Sequence, residues 1–255
     1  MIKKNIRALF LDLGGTFRIV TPVEKYTDAA KRLIAELVCT DMEPRAYYDF
    51  IMERYEGYRA WALKYMCEAP EDMLWTRWLA PEYDHKRLAK HAVELTYALR
   101  RAKGRRVVVE GGVDTLKTLV ARGYKVGIIS DLIGTVEIDE WLDEEKLRPY
   151  FCTVQQSSVT LLRKPHPAIY LLALREAGVR PEESVFVGDN LERDIIGAKA
   201  TGFGATIAVD YPDAAPLKLT PENRPEGIIR SFGELLAAFP GAPEMNIGAI
   251  EQRSV

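Results

Sequence analysis

The sequence predicts an α/β protein in which a doubly wound, Rossmann-like parallel sheet carries an inserted bundle of helices. Three observations predict this class. Short apolar runs that end in polar residues recur after residue 107, they alternate with segments of helical periodicity, and residues 24–102 lack strand-like runs. Strands that alternate with helices are joined by crossover connections, and such connections build a parallel sheet with helices on both faces.

The first predicted strand is Ala8–Leu11, a continuous apolar run of the kind expected of a strand buried on both faces of a sheet. Further strands are predicted at 125–129, 152–155, 184–187, 204–208 and 227–231. The helices between and after them are predicted at 113–122, 135–146, 166–177, 191–200 and 232–239. Three of these helices stop at or near glycine, a residue that commonly ends helices.

The interval between the first strand and residue 105 is predicted to be helical. Apolar residues recur at helical spacing through Ala29–Val38, with Thr27 or Asp28 as a candidate N-cap, and again around 44–66, 70–79 and 84–101. The expected organisation is a core domain of residues 1–20 and 105–240, a helical cap domain of residues 21–104, and a loosely held tail of residues 241–255. Ligands of open parallel sheets bind beyond the carboxyl ends of the strands, where this insertion leaves the sheet, so we expect the cap to cover the site.

Composition excludes several classes of protein. The 255 residues are 47% hydrophobic and 28% charged with a formal net charge of −2, so no strong field favours nucleic acid or an anionic membrane as partner. Three scattered cysteines form no disulfide framework. The apolar run that ends at Leu11 is too short for a signal peptide, and we expect a cytoplasmic protein. No feature of the sequence determines an oligomeric state.

Polar clusters follow three of the predicted strands. Asp12 follows LFL, Ser130-Asp131 follows VGII, and Gly188-Asp189 follows VFV, while Lys164 stands in the segment RKPHP before a helix. An acid after a strand is often only a turn former or helix cap. The combination is more informative, because the carboxyl ends of parallel strands meet at one edge of the sheet.

This set resembles the haloacid dehalogenase superfamily, most of whose members are phosphatases. The family pattern is Asp-x-Asp-Gly-Thr after a first strand, Ser or Thr at the end of a second, a Lys usually followed by Pro, and Gly-Asp with a second acid several residues on. Here these are Asp12-Leu13-Gly14-Gly15-Thr16, Ser130, Lys164-Pro165, and Gly188-Asp189 with Asp194. The helical insertion after the first motif is similar to that of the helical-cap branch.

The resemblance implies an Mg²⁺-dependent phosphatase of a small phosphorylated metabolite. In that reading Asp12 is the nucleophile that forms an aspartyl-phosphate, and Ser130 and Lys164 are the other catalytic residues. The implied phosphate-binding residues are Thr16, Ser130, Asp131 and Lys164, and the implied metal ligands are Asp12, the Gly14 carbonyl, Asp189 and Asp194.

Some of these residues have simpler interpretations. Asp194 is also a candidate N-cap of the following helix, Ser130 a plain turn residue, and Asp131 a helix cap or a support for Ser130. The basic run Arg100–Arg106 is interpreted as a solvated connector, with attraction of phosphorylated ligands as the alternative.

Gly14 departs from the family pattern, which has an acid there. That acid protonates the leaving group and then activates water, a contribution of about 10²–10⁴-fold. Its loss leaves three possibilities open: a phosphatase, a catalytically weak relative that binds a phosphorylated ligand, or a phosphonate or haloacid hydrolase. His166 and Glu24 are candidate replacements for the acid, and Lys25 and Lys64 are the insertion lysines considered for a phosphonate hydrolase.

Overall fold

Parallel strands form the central sheet of this computed structural model, which describes residues 5–212 and 214–243. The strands of the described residues are β1 (Ala8–Leu11), β2 (Arg18–Thr21), β3 (Arg105–Val108), β4 (Lys125–Ser130), β5 (Thr153–Gln156), β6 (Ser184–Gly188), β7 (Ala205–Val209) and β8 (Gly227–Ile229). Six of them pair in the order β5-β4-β1-β6-β7-β8, and every pairing in this sheet is parallel. The predicted α/β class and parallel sheet are confirmed.

Helices cover both faces of the sheet. Those of the described residues are α1 (Glu24–Val38), α2 (Pro44–Tyr65), α3 (Glu71–Met73), α4 (His85–Lys90), α5 (Ala92–Arg101), α6 (Gly112–Ala121), α7 (Glu137–Glu144), α8 (Ser157–Thr160), α9 (Pro167–Ala177), α10 (Gly197–Thr201) and α11 (Leu235–Ala238). Side chains alternate along β1, so Leu9 and Leu11 pack into the apolar layer that includes α6 and α7, while Phe10 packs against α9. This burial on both faces explains the unbroken apolar sequence of β1.

The helices of the insertion, α1 to α5, pack around an apolar cluster of their own. Trp75 is a fully buried member of this cluster, and its indole Nε1 donates a hydrogen bond to Thr96 Oγ1 at 2.9 Å. Two predicted helices differ from the sequence interpretation. The segment 70–79 begins as α3 and continues as a π-helical turn at Leu74–Leu79, and 84–101 is divided at His91 into α4 and α5.

Strands β2 and β3 form an antiparallel ribbon that the sequence interpretation did not include. The ribbon lies where the chain leaves the sheet for the insertion and where it returns. In its register Arg18 faces Val108 and Val20 faces Arg106, so Arg18, Val20 and Arg106 lie on one face. Three of the four residues of β2 are exposed, and its apolar residues are only Ile19 and Val20, a run too short to indicate a strand.

The loop between α2 and α3 joins the insertion to the segment that precedes Lys164. Cys67 and Leu162 form an antiparallel bridge, and the Glu68 amide donates to the Leu161 carbonyl at 3.0 Å. The buried Glu68 carboxylate accepts hydrogen bonds from Tyr58, at 2.7 Å, and from the Arg163 guanidinium. The insertion therefore helps to hold the chain that presents Lys164.

None of the helices in the described ranges combines the length and apolar character that a bilayer crossing requires. The predicted loosely held tail falls largely outside the described residues, which end at 243.

Candidate active site

Three adjacent strands deliver acidic or hydroxyl side chains to the carboxyl edge of the sheet. Asp12 directly follows β1, Ser130 ends β4, and Asp189 directly follows β6. Because β1 pairs with β4 on one side and with β6 on the other, these side chains converge. Asp12 and Ser130 also line one cavity of about 270 Å³, together with Lys164.

Lys164 connects two of the carboxylates. Its Nζ donates to Asp12 Oδ1 at 2.8 Å and to Asp194 Oδ1 at 2.6 Å, and its side chain is 1% exposed. Burial by itself lowers the pKa of Lys164, but the negative charges of Asp12 and Asp194 outweigh it and raise the pKa above its usual value. Lys164 is therefore a permanently charged ammonium beside the predicted nucleophile.

Asp12, Asp189 and Asp194 form a cluster in which one carboxylate oxygen from each residue lies within 4.8 Å of the other two. Burial, together with the charge of Asp12, raises the pKa of Asp189 to about 7 and that of Asp194 to about 6. The Asp189 Oδ1 atom is buried and accepts no hydrogen bond from the residues that the structure describes. Crowded carboxylate oxygens of this kind suit a hard divalent cation, so the donor set fits Mg²⁺.

Asp194 is not the N-cap that the sequence allowed as an alternative. The side chain of Asn190 caps the π-helical turn Leu191–Ile196 by accepting from the Arg193 amide at 2.9 Å. Asp194 is instead 1% exposed, and its Oδ2 accepts from the Asn190 amide at 3.0 Å.

The two glycines after Asp12 lie in different surroundings. Gly14 lines the cavity, and a Cβ atom placed on it would have nothing within 4 Å. Gly15 has φ of +80°, and a Cβ there would collide with the Asp189 carboxylate. Gly15 is thus required by the close approach of Asp189, whereas the space at Gly14 is open to a side chain.

The structure gives no support for a direct phosphate contact by Thr16 or Asp131, the other two residues predicted to bind phosphate. Thr16 is completely buried and does not line the cavity, and its contact with phosphate stays a prediction. Asp131 lines the cavity, but its Oδ1 accepts from the Lys164 amide at 2.9 Å. A carboxylate repels a phosphate dianion, so the geometry favours Asp131 as a residue that positions the Lys164 loop.

The candidate replacements for the missing acid, and the two lysines considered for a phosphonate hydrolase, lie away from this cavity. His166 Nδ1 accepts from the Ala168 amide at 3.2 Å and caps α9. Glu24 is exposed in the first turn of α1, and Lys25 and Lys64 are exposed on the insertion. None of these four lines the cavity that holds Asp12.

The structure adds cationic residues that the sequence interpretation left out of the site: Arg18, Arg100, Lys103, Arg106 and Arg193. The solvated-connector interpretation of the run 100–106 is wrong for Arg106, which is buried, and for Arg100, whose side chain is 19% exposed. The cluster of cations at the predicted boundary between core and insertion was the sequence feature that could have indicated a role in the site. Arg106 lines the cavity as part of the β2–β3 ribbon, which was not predicted.

A model of the haloacid dehalogenase-like hydrolases matches residues 6–202, which include all the residues of the carboxylate cluster and Lys164. The chain belongs to this family. It is 28% identical over 239 residues to glyceraldehyde 3-phosphate phosphatase of Pyrococcus furiosus, across 91% of this chain and 92% of that protein. It is also 32% identical over 139 residues to phosphoglycolate phosphatase 1 of Pseudomonas aeruginosa, where the match covers 54% of this chain and only 49% of the relative.

Solved structures share the fold of this haloacid dehalogenase-like hydrolase. A 2-haloacid dehalogenase from Pseudomonas syringae has a TM-score of 0.66 at 20% identity, over 91% of this chain and 97% of that one. A HAD phosphatase from Thermococcus onnurineus has a TM-score of 0.60 at 20% identity, over 93% and 99%. Both phosphatases and dehalogenases thus have this architecture, and the choice between reactions depends on the site.

Proposed function

We propose that this hydrolase releases phosphate from a small phosphorylated metabolite, with Asp12 as nucleophile and Mg²⁺ as cofactor. The observation that carries the proposal is the cluster of Asp12, Asp189 and Asp194 around the ammonium of Lys164. Asp12 and Asp194 are buried, and three carboxylates beside one ammonium have excess negative charge, which a divalent cation would compensate. Whole-length similarity to a curated phosphatase supports the same reaction class.

The residues of the cavity have separable roles in this reaction. An Asp12 carboxylate oxygen forms a bond to phosphorus while the bond from phosphorus to the leaving oxygen breaks, which gives an aspartyl-phosphate. Ser130, at the end of β4, donates a hydrogen bond to a phosphoryl oxygen. Lys164 holds Asp12 in place through its 2.8 Å hydrogen bond and offsets the charge that gathers on the phosphoryl group. Water then cleaves the aspartyl-phosphate, releases inorganic phosphate and restores Asp12.

Mg²⁺, when bound by Asp12, Asp189, Asp194 and the Gly14 carbonyl, would neutralise phosphoryl oxygens and allow a carboxylate to approach a phosphate dianion. Gly15 lets the chain pass close to Asp189 in this arrangement.

Gly14 leaves the site without the general acid of the family pattern. Glycine keeps the backbone carbonyl but has no carboxyl group to protonate the leaving oxygen or to activate water. The leaving group therefore takes its proton from water, which favours substrates whose leaving groups need little protonation, such as acyl phosphates and sugar 1-phosphates.

The test is a phosphate-release panel run with Mg²⁺ and with EDTA, on the wild type, on Asp12→Asn, and on Asp49→Asn as a control at an exposed site on α2. We expect release that requires both Mg²⁺ and Asp12 and that survives in the control. Thermal stabilisation by a phosphorylated ligand without any turnover would indicate a binding protein instead. Halide release that is independent of metal would overturn the proposal.

A further inference from the structure

A cationic face forms part of the wall of the cavity that Asp12, Ser130 and Lys164 also line. It consists of Arg18, Val20 and Arg106 on one face of the β2–β3 ribbon, Arg100 at the end of α5, and Lys103. Arg18, Arg100 and Arg106 also line a second cavity of about 510 Å³. The cationic face therefore borders both the site of Asp12 and the space beyond it.

Glu137 of α7 is the buried carboxylate that faces these arginines. Its Oε1 accepts from Arg18 Nη2 at 2.5 Å, its Oε2 accepts from Arg100 Nε at 2.5 Å, and Arg106 Nε lies 3.5 Å from Oε1. Burial alone would raise the pKa of Glu137, but the charges of Arg100 and Arg18 outweigh it and hold the pKa far below its usual value. One carboxylate thus balances one of three guanidinium charges.

Some donors of the cationic face have no partner within the described part of the chain. Arg18 is only 3% exposed, and its Nη1 is buried without a hydrogen bond. Arg106 Nε also makes no hydrogen bond, and its acidic neighbour is Glu137 Oε1 at 3.5 Å. Buried charges are costly unless they are paired, so three guanidinium groups that share one carboxylate and also line the cavity indicate a site for an anion.

Lys103 adds a further cation. Its Nζ lies 4.7 Å from the centre of the Tyr55 ring, and it forms no ion pair with the residues that the structure describes. Burial first, then the charges of Arg100 and Arg106, lower the pKa of Lys103 to about 8. The other charged groups that act on it are Glu56 and Arg59 of α2.

We propose that the cationic face binds a second anionic group of the substrate, so that preferred substrates are phosphate monoesters that also carry a carboxylate or a second phosphate. This inference rests on the proposed function, because it places the transferred phosphate at Asp12, Ser130 and Lys164. Guanidinium groups bind carboxylate and phosphate oxygens in pairs, and both groups suit the wall that Arg18 and Arg106 form.

Matched substrates separate the second anion from the transferred phosphate. Glycerol 3-phosphate, glyceraldehyde 3-phosphate and 3-phosphoglycerate all carry a phosphate on the third carbon, and only the last has a carboxylate on the first. Fructose 6-phosphate and fructose 1,6-bisphosphate form the corresponding pair for a second phosphate. We expect kcat/KM to be higher for the anionic member of at least one set by about 10- to 100-fold, the value of one or two hydrogen bonds to a charged group. The set that shows the preference identifies the anion.

Lys103→Gln removes one cation of the face without leaving a buried carboxylate unpaired. We expect it to reduce the preference for the anionic substrate roughly tenfold, as loss of one charged hydrogen bond should. Lys64→Gln is the matched control, because Lys64 is also an insertion lysine over a tyrosine ring but is exposed and lies outside the cavity. Thermal unfolding of both variants shows whether each is folded.

The outcomes distinguish this inference from the proposed function. Equal kcat/KM for neutral and anionic members in both sets, with release that still depends on Asp12, overturns the second-anion site and leaves the phosphatase proposal intact. If no ester is hydrolysed, the phosphatase proposal fails, and thermal stabilisation by 3-phosphoglycerate over glycerol 3-phosphate then decides the anion site by itself. If neither Lys103→Gln nor Lys64→Gln changes the preference for the anionic substrate, Lys103 does not contribute to the anion site.

Discussion

Restoring a carboxyl group at Gly14 should accelerate this enzyme. Gly14→Asp introduces the acid that the family pattern has at this position, two residues after Asp12. The structure leaves room for it, since a Cβ on Gly14 would meet no atom within 4 Å and the residue has no positive φ. The added Cβ therefore meets no clash at Gly14, whereas a Cβ at the neighbouring Gly15 would collide with Asp189.

The size of the gain follows from the role of the acid and its surroundings. A positioned general acid is worth about 10²–10⁴-fold, or roughly 2.7–5.4 kcal/mol of barrier. Arg18 and Arg106 line the same cavity, and nearby cations lower the pKa of a carboxyl group and weaken it as an acid. We therefore expect a gain near the lower end, about 10²-fold in kcat/KM for an ester with a poor leaving group.

The assay compares glycerol 3-phosphate, a poor leaving group, with acetyl phosphate, a good one. Gly14→Asp should raise kcat/KM much more for the first than for the second, because acetate leaves without protonation. In the wild type, hydrolysis of the aspartyl-phosphate also lacks a base. We thus expect a burst of leaving group equal to the enzyme concentration with acetyl phosphate, and a smaller burst in Gly14→Asp.

Gly14→Asn is the matched control, because it fills the same space without supplying a proton. An equal gain in Gly14→Asn would show that filled volume, and not acid catalysis, limits the wild type. No gain in a folded Gly14→Asp would refute the idea that the proton donor is what this site lacks.

Three further predictions concern residues around the site. Glu137→Gln leaves three guanidinium groups, two of them buried, without their carboxylate, and should lower the free energy of unfolding by about 3–5 kcal/mol in urea titrations. Glu145→Gln, exposed just beyond α7, should cost under about 0.5 kcal/mol, and similar costs for the two variants would contradict the cluster around Glu137. Gly15→Ala should reduce kcat/KM more than tenfold, since its Cβ collides with Asp189, and retained activity would contradict that contact. The preference for a second anion should fall as pH rises through about 8, because Lys103 is protonated below that pKa and neutral above it. A ratio of kcat/KM for anionic over neutral substrate that stays constant from pH 6 to 10 would exclude Lys103 from the anion site.

Sequence reading predicted the sheet well because its strands are buried on both faces. The apolar runs of β1, β4 and β6 are each followed by polar residues. The sequence therefore indicated both the strands and the polar residues at the carboxyl edge of the sheet. The first helix of the insertion was located less accurately. It begins at Glu24 with Val23 as N-cap, and no side chain caps it, so the assignment of Thr27 or Asp28 as cap is wrong.

The cationic face could not be predicted, because it depends on long-range pairing. Arg18 and Arg106 are 88 positions apart in the sequence and become neighbours on one face only through the β2–β3 register. Strand β2 is mostly exposed, and its two apolar residues, Ile19 and Val20, are too few to indicate a strand. A run of cations such as Arg100–Arg106 is usually solvated. Burial of these arginines against Glu137 is a property of the assembled fold.

Trapping the intermediate on Asp12 tests the central claim most directly. Borohydride reduces an aspartyl-phosphate to homoserine, so enzyme quenched with borohydride during turnover can be digested and its peptides weighed. Our account predicts homoserine at position 12 when acetyl phosphate and Mg²⁺ are both present, and unmodified Asp12 when either is omitted. Phosphate release with Asp12 unmodified throughout the burst would contradict the aspartyl-phosphate and, with it, the assignment of Asp12 as nucleophile.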